Sequence, residues 1–209
     1  TRRFDRRKAL ILAALTALGV NVLSFMAILG AAGLAVGLAL QGSLSHFASG
    51  VLLVFFQPFK VGDTVEVAGE FGTVEEIQLF CTILKTPQNV TVIIPNAAAG
   101  GSNIKNYTKQ GTIRLDMVFG IAYDGDIRDA TALIRKIVDA DERIIKDPGP
   151  TLGVVSLGDS SVNIACNVWI KPADKWGVLF DANENVKYAL DEAGIGIPFP
   201  QRDVHMYTH

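Results

Sequence analysis

Leu34 and Leu38 stand one helical turn apart on a stretch whose remaining surface is built largely from alanine and glycine. Ala27, Ala31, Ala35 and Ala39 recur every four residues and would form one smooth ridge on a helix. Gly30, Gly33 and Gly37 form a second small-residue stripe, with a GxxxG spacing from Gly33 to Gly37. None of these groups makes or breaks bonds. In lipid, where the hydrophobic effect does not join helices, small-residue ridges let backbones approach and gain dispersion energy. In a ring of identical helices the two leucines would stack as apolar collars. Such a constriction empties of water and stops ions, and widening the ring rewets it. A barrier of this kind needs no charge, and this stretch carries none.

Groups suited to catalysis are sparse. His46, His205 and His209 are the only histidines, and none sits in a triad or metal-ligand spacing. Asp124 and Asp126 resemble a carboxylate pair, but a strand-to-helix turn with Asp126 as N-cap accounts for them more simply. Glu75 and Glu76 read as a solvated strand end. Cys81 and Cys166 lie far apart, match no metal motif and read as small reduced core residues. Gly30 to Gly37 cannot be a dinucleotide loop, because no strand precedes it. The net charge is −2, with no large basic block beyond the apolar tract to attract nucleic-acid phosphates. No enzyme, cofactor, metal or nucleic-acid partner is expected.

The elements that must hold the ridges follow from charge. Hydrophobic residues make up 49% of the chain and charged residues 19%, but from Ala9 to Phe59 there is no Asp, Glu, Lys or Arg. A bilayer core takes about 20 apolar residues to cross. A buried helix of a soluble protein rarely runs past about 15 residues without charge, so this tract predicts membrane insertion. No short apolar region with a cleavage site precedes a polar chain, which argues against a secretory signal. Arg2, Arg3, Arg6, Arg7 and Lys8 place the start on the cytoplasmic side. A turn at Gly19-Val20-Asn21 then predicts a hairpin returning to the cytoplasm by Lys60, with residues 60–209 cytoplasmic. The first arm, residues 9–19, would reach only about 16 Å against about 30 Å of hydrocarbon. The N-terminus is therefore expected to be incomplete, with further membrane helices in the whole protein. Residues 22–56 would reach about 52 Å, too long for one crossing. A break is expected at Gly42, with Gly50 a second weak point, since glycine costs a helix interior about 1 kcal/mol.

After the apolar tract, short alternating runs predict strands at Thr64–Val67, Gly72–Val74, Cys81–Leu84 and Val90–Ile94. They make residues 60–112 a small β-domain. Residues 113–200 read as strand (Arg114–Ala122), helix (Asp126–Ala140), two strands (Thr151–Leu157, Val162–Ile170) and helix (Phe180–Ala193). That order is a split βαβ, an α+β layer. Residues 201–209 alternate again and predict a terminal strand.

The run from Gly30 to Ser45 (GAAGLAVGLALQGSLS) closely resembles the pore helix of bacterial mechanosensitive channels of small conductance. The likeness continues in Gly50-Val51-Leu52-Leu53, Gln57-Pro58-Phe59, Lys60-Val61-Gly62-Asp63 and Gly72-Thr73-Val74. It also includes Ile94-Pro95-Asn96, Tyr123-Asp124, Asp126-Ile127 and Phe199-Pro200-Gln201, in order. The resemblance implies a membrane pore helix, an SH3/Sm-like β-domain and a ferredoxin-like α+β domain. It implies a homoheptamer in the bacterial inner membrane, multi-pass, with its C-terminal domain in the cytoplasm and lipids as partners. It further implies a pore seal at Leu34 and Leu38, and helix packing through Ala27, Gly30, Ala31, Gly33, Ala35, Gly37 and Ala39. Gly42 would be the kink, Gly50 a second hinge, and residues 201–209 a strand in an inter-subunit barrel closing a solute-sieving cage. The implied function is release of ions and small solutes under membrane tension during hypo-osmotic shock. A ligand-controlled efflux channel on the same fold, or a non-conducting membrane-anchored scaffold, are the alternatives. Two departures stand out. His46 occupies a position where many members have Asn, and the loop Thr86-Pro87-Gln88-Asn89 lacks the usual glycine turn.

Overall fold

The computed structural model describes residues 22–202 and 204–207 of the chain. The basic flank, the first arm and the turn at Gly19–Asn21 lie outside the described residues. The first described element is α1, Val22–Phe56, a single α-helix of 35 residues. The expected break at Gly42 is absent: helical structure runs unbroken through both Gly42 and Gly50. Glycine weakens a helix without removing its backbone donor, so the ladder persists unless something displaces it. The helix stops where Gln57 turns left-handed, at φ 45, with its amide bonded to the Leu53 carbonyl at 3.0 Å. Pro58 then prevents continuation.

Five short strands follow: β1 (Thr64–Val67), β2 (Glu70–Ile77), β3 (Cys81–Lys85), β4 (Thr91–Pro95) and β5 (Ile104–Asn106), arranged β4-β3-β2-β1-β5. A six-residue helix α2, Asn96–Gly101, separates β4 from β5. Sequence patterning predicts β1, β3 and β4 closely and part of β2; it misses α2 and β5. Val65, Val67, Val74, Leu84 and Ile94 are buried on their strands, and Leu53 of α1, Phe59 and Ala99 are buried too. Burying each such side chain fully is worth about 1.5–3 kcal/mol.

The second half begins with β6 (Ile113–Ile121), then α3 (Ile127–Ala140), β7 (Thr151–Leu157), β8 (Val162–Ile170) and α4 (Lys175–Glu192). The sheet order is β6-β8-β7, with both pairings antiparallel. This is the expected split βαβ, with β7 and β8 at the predicted residues and α4 starting five residues earlier than patterning suggests. One face of the sheet contributes Leu115, Met117, Phe119, Ile121, Val162, Ile164, Cys166, Val168 and Ile170 to a core. Ala130, Ile134 and Val138 from α3, and Val178, Ala182, Val186 and Leu190 from α4, cover it at helical spacing. Cys166 is fully buried there, and burial pushes its thiol up to about 11, so it behaves as an inert core residue.

Asp126 caps α3 as expected, accepting from the amides of Arg128 at 2.7 Å and Asp129 at 3.1 Å. Those amides, Asp129 first, hold its carboxyl below the usual range. The end of α4 is closed by Gly194, at φ 71, and by bonds from Gly194 to the Asp191 carbonyl and from Ile195 to the Leu190 carbonyl. That pairing satisfies two carbonyls that the helix alone leaves open.

By internal packing the chain forms two compact units. Among the described residues, one comprises those up to Gly62 with Glu66–Ile104, the other Asp63–Val65 with those from Lys105 onward. The second unit therefore includes the start of β1, where Asp63 accepts from Asn106 Nδ2 at 2.7 Å and from Thr108 Oγ1 at 3.1 Å. Val204, Met206 and Tyr207 are exposed and belong to no strand of this chain.

Candidate functional site

The first two-thirds of α1 presents its whole surface outward. Every residue from Leu23 to Ser45 is exposed, including Ala27, Ala31, Ala35 and Ala39. Leu34 and Leu38 are 66% and 63% exposed, with none of the described residues covering them. They share one open concavity with Gly33, Gly37, Gln41 and Leu44. A Cβ added at Gly30, Gly33, Gly37 or Gly42 would meet no atom within 4 Å. Packing among the described residues therefore does not explain why these positions are small. Among the described residues this is the one helix long and apolar enough to cross a membrane, Leu23–Phe56.

The last third of α1 behaves differently: it is docked. His46, Gly50 and Leu53 recur at helical spacing on one face. The Ala97 amide donates to His46 Nδ1 at 3.3 Å. Phe47 lies 6.4 Å from Phe80, ring centre to ring centre. A Cβ built on Gly100 would touch the Ser49 Cβ at 3.6 Å. At Gly50 the approach is closer, because a Cβ there would lie 2.4 Å from the Leu79 carbonyl oxygen and 2.5 Å from Asn96 Nδ2. Gly50, expected as a hinge, thus has a second reason to be glycine: its helix rests directly on backbone.

Asn96 organises the surface that receives it. This side chain is fully buried, and so is Thr82. Thr82 Oγ1 donates to Asn96 Oδ1 at 2.9 Å, while Asn96 Nδ2 donates to the Gln78 and Leu79 carbonyls at 2.9 and 3.1 Å. Its own amide donates to the Phe80 carbonyl at 2.9 Å. A single residue therefore fixes the β2–β3 turn against α2 and orients the carbonyl on which Gly50 sits. A buried amide with its donors and acceptor engaged specifies one geometry, because any other leaves polar atoms unpaired. Sequence reasoning noted Asn96 only within a motif. The available signal was a polar residue directly after Pro95 at the end of an apolar strand.

The loop that departs from the family pattern is also accounted for. Asn89 adopts φ 64, the left-handed conformation a glycine would supply, and its amide bonds the Thr86 carbonyl at 2.9 Å. Asn tolerates that region better than other residues with side chains. The turn survives without glycine.

Residues 42–109 match the mechanosensitive ion channel beta-domain family, and residues 115–197 match the C-terminal domain family of the mechanosensitive channel MscS. The small-conductance mechanosensitive channel of Edwardsiella ictaluri is 49% identical over 85% of this chain. The chain spans 62% of that relative's length. The protein of the same name from Helicobacter pylori is 36% identical over 91% of the chain and 70% of its own length. A crystal structure of Helicobacter pylori MscS, described as a closed state, superposes with a TM-score of 0.87 at 35% identity, over 94% of this chain and 78% of that one. Arabidopsis thaliana MSL1, at 18% identity and a TM-score of 0.74 over 94% of this chain and 76% of that one, shares the fold. With an apolar helix, a β-domain and an α+β domain in the same order, this chain belongs to the MscS family of mechanosensitive ion channels.

Proposed function

We propose that the chain is one subunit of a homo-oligomeric channel, a heptamer by family likeness, that opens under membrane tension. It would release ions and small solutes during hypo-osmotic shock. The observation that supports this best is the contrast within α1: an uncharged Leu/Ala/Gly surface with no partner among the described residues, continued by a segment seated on a folded β-domain. An apolar helix facing outward on every side is satisfied by lipid and by copies of itself.

In this reading Leu34 and Leu38 form the pore seal, and Ala27, Gly30, Ala31, Gly33, Ala35, Gly37 and Ala39 let neighbouring copies slide. Two leucine collars exclude water at rest, and a dry gap blocks ions without any charged gate. Gly42, inside a helix that is unbroken in this conformation, would be the point that bends on gating, with Gly50 the second flexible point. Lipids are the partners that deliver tension. The protein resides in the bacterial inner membrane as a multi-pass subunit, with residues from about 60 onward in the cytoplasm and the terminal segment joining its copies in a barrel.

Single-channel recording from the full-length protein in liposomes tests the reading. Currents evoked by suction support it. Silence up to lytic tension favours the membrane-anchored scaffold, and currents that need a soluble ligand favour the efflux channel.

A further inference from the structure

We propose that His46 is a positioning residue that ties the lower part of the pore helix to the β-domain only while its imidazole is neutral, so that gating responds to cytoplasmic pH. The proposal rests on the tension-gated reading above.

The tie links residues 51 apart in sequence, through Nδ1 of His46 and the backbone amide of Ala97. An amide N–H can only donate, so Nδ1 must accept, which requires a neutral imidazole carrying its proton on Nε2. Protonation turns Nδ1 into a donor. Two N–H groups then face each other across 3.3 Å, and an attraction becomes a repulsion. Ala97 lies in the first turn of α2, where backbone N–H groups lack intrahelical acceptors and depend on such partners. An asparagine at position 46 would offer an uncharged oxygen at every pH; histidine makes the same contact conditional. Histidine is the side chain whose charge changes between mildly acidic and neutral pH.

Among the described residues, the surroundings leave this switch to His46. Besides it, α1 carries no titratable group between Val22 and Phe56, and α2 carries none. The turn Gln78–Phe80 has none either. On the flanking strands, Glu76 Oε2 accepts from Gln78 Nε2 at 3.0 Å, and Cys81 Sγ donates to Gln78 Oε1 at 3.3 Å. Both groups are engaged with Gln78. The next helical turn, at Gly50, remains seated by shape alone, so losing the tie loosens the helix without detaching it. This conformation superposes on the family structure described as closed. Losing a contact that it contains favours leaving it.

The test is patch recording of the full-length channel with the cytoplasmic bath moved from about pH 7.5 to about 5.5. At a fixed sub-threshold tension the open probability should rise reversibly by about fivefold, which corresponds to about 1 kcal/mol. His46→Asn should abolish the response while keeping His205 and His209, and His46→Ala should open easily at both pH values. A flat wild-type response, or an acid response that survives in His46→Asn, overturns the proposal. Hydrogen exchange at the Ala97 amide reads the tie without conduction, with His46→Asn as the reference for the intrinsic pH effect. Protection lost on acidification in the wild type alone supports the tie even if no currents appear; protection that persists overturns it.

Discussion

Gly50 and Asn96 fit each other because one lacks a side chain. A Cβ at position 50 would lie 2.5 Å from Asn96 Nδ2, and 2.4 Å from the Leu79 carbonyl oxygen that Asn96 itself holds in place. Real Cβ atoms do not approach backbone so closely, so the helix can rest there only at a glycine. Helix α1 and the β-domain are joined by shape at this point and by the Ala97–His46 bond one turn earlier.

Gly50→Ala is expected to unseat the helix. Overpacking of this kind typically costs about 1–3 kcal/mol, more than the roughly 1 kcal/mol that alanine gains in helix propensity. Gly42→Ala has no neighbour to strike within 4 Å and should stabilise by up to about 1 kcal/mol. Thermal unfolding of the two detergent-purified variants checks this: equal shifts would mean that the close approach at Gly50 is not felt.

Asn96→Asp keeps the acceptor for Thr82 but removes both side-chain donors and sets a carboxylate against the Gln78 and Leu79 carbonyls. Leaving buried acceptors unpaired costs about 1–3 kcal/mol or more. Urea unfolding should show that loss, and proteolysis should increase at the β2–β3 turn. An unchanged midpoint would remove Asn96 from its organising role.

If Leu38 belongs to the proposed seal, Leu38→Ser should wet the constriction and lower the opening tension, because a hydroxyl in each copy retains water where leucine expels it. Ala35→Val should raise the tension, since bulk on the ridge obstructs sliding helices. Suction thresholds in liposome patches read both; an unmoved threshold for Leu38→Ser would take that residue out of the seal.

The acid limb of stability should depend on Asp141. Its carboxyl is held below the usual range first by the Arg143 guanidinium, with Nη2 to Oδ2 at 2.7 Å, and Arg143 reaches Asp181 of α4 at the same distance. A carboxyl depressed in the folded state adds stability above its unfolded value of about pH 3.9, and that stability fades as pH falls through the folded value. Asp141→Asn should lose about 0.5–1 kcal/mol at neutral pH and flatten the decline toward pH 3, as read by denaturant midpoints. An identical acid decline in the variant would assign it elsewhere.

Much of this protein is legible because its signals are local. A charge-free tract, a four-residue alanine repeat and period-two alternation each follow from which neighbours share a face, so α1, β7, β8 and α3 emerge directly. Asp126 as a cap is legible for the same reason. By contrast, α2 and β5 are short and carry too little periodicity to declare themselves. The break expected at Gly42 came from comparing helix length with bilayer thickness, whereas the backbone ladder closes across a glycine whenever nothing pulls it apart.

Composition and spacing alone were enough to indicate a long uncharged apolar helix carrying two stripes of small residues, followed by a β-layer and an α+β layer. Folding decided the rest, since contacts across tens of residues obey no sequence period. Why position 50 excludes a methyl group, why Asn96 is buried, and why His46 can meet Ala97 all depend on where α2 comes to lie against α1. That placement results from the whole β-domain closing on its core, and no stretch of the chain contains it beforehand.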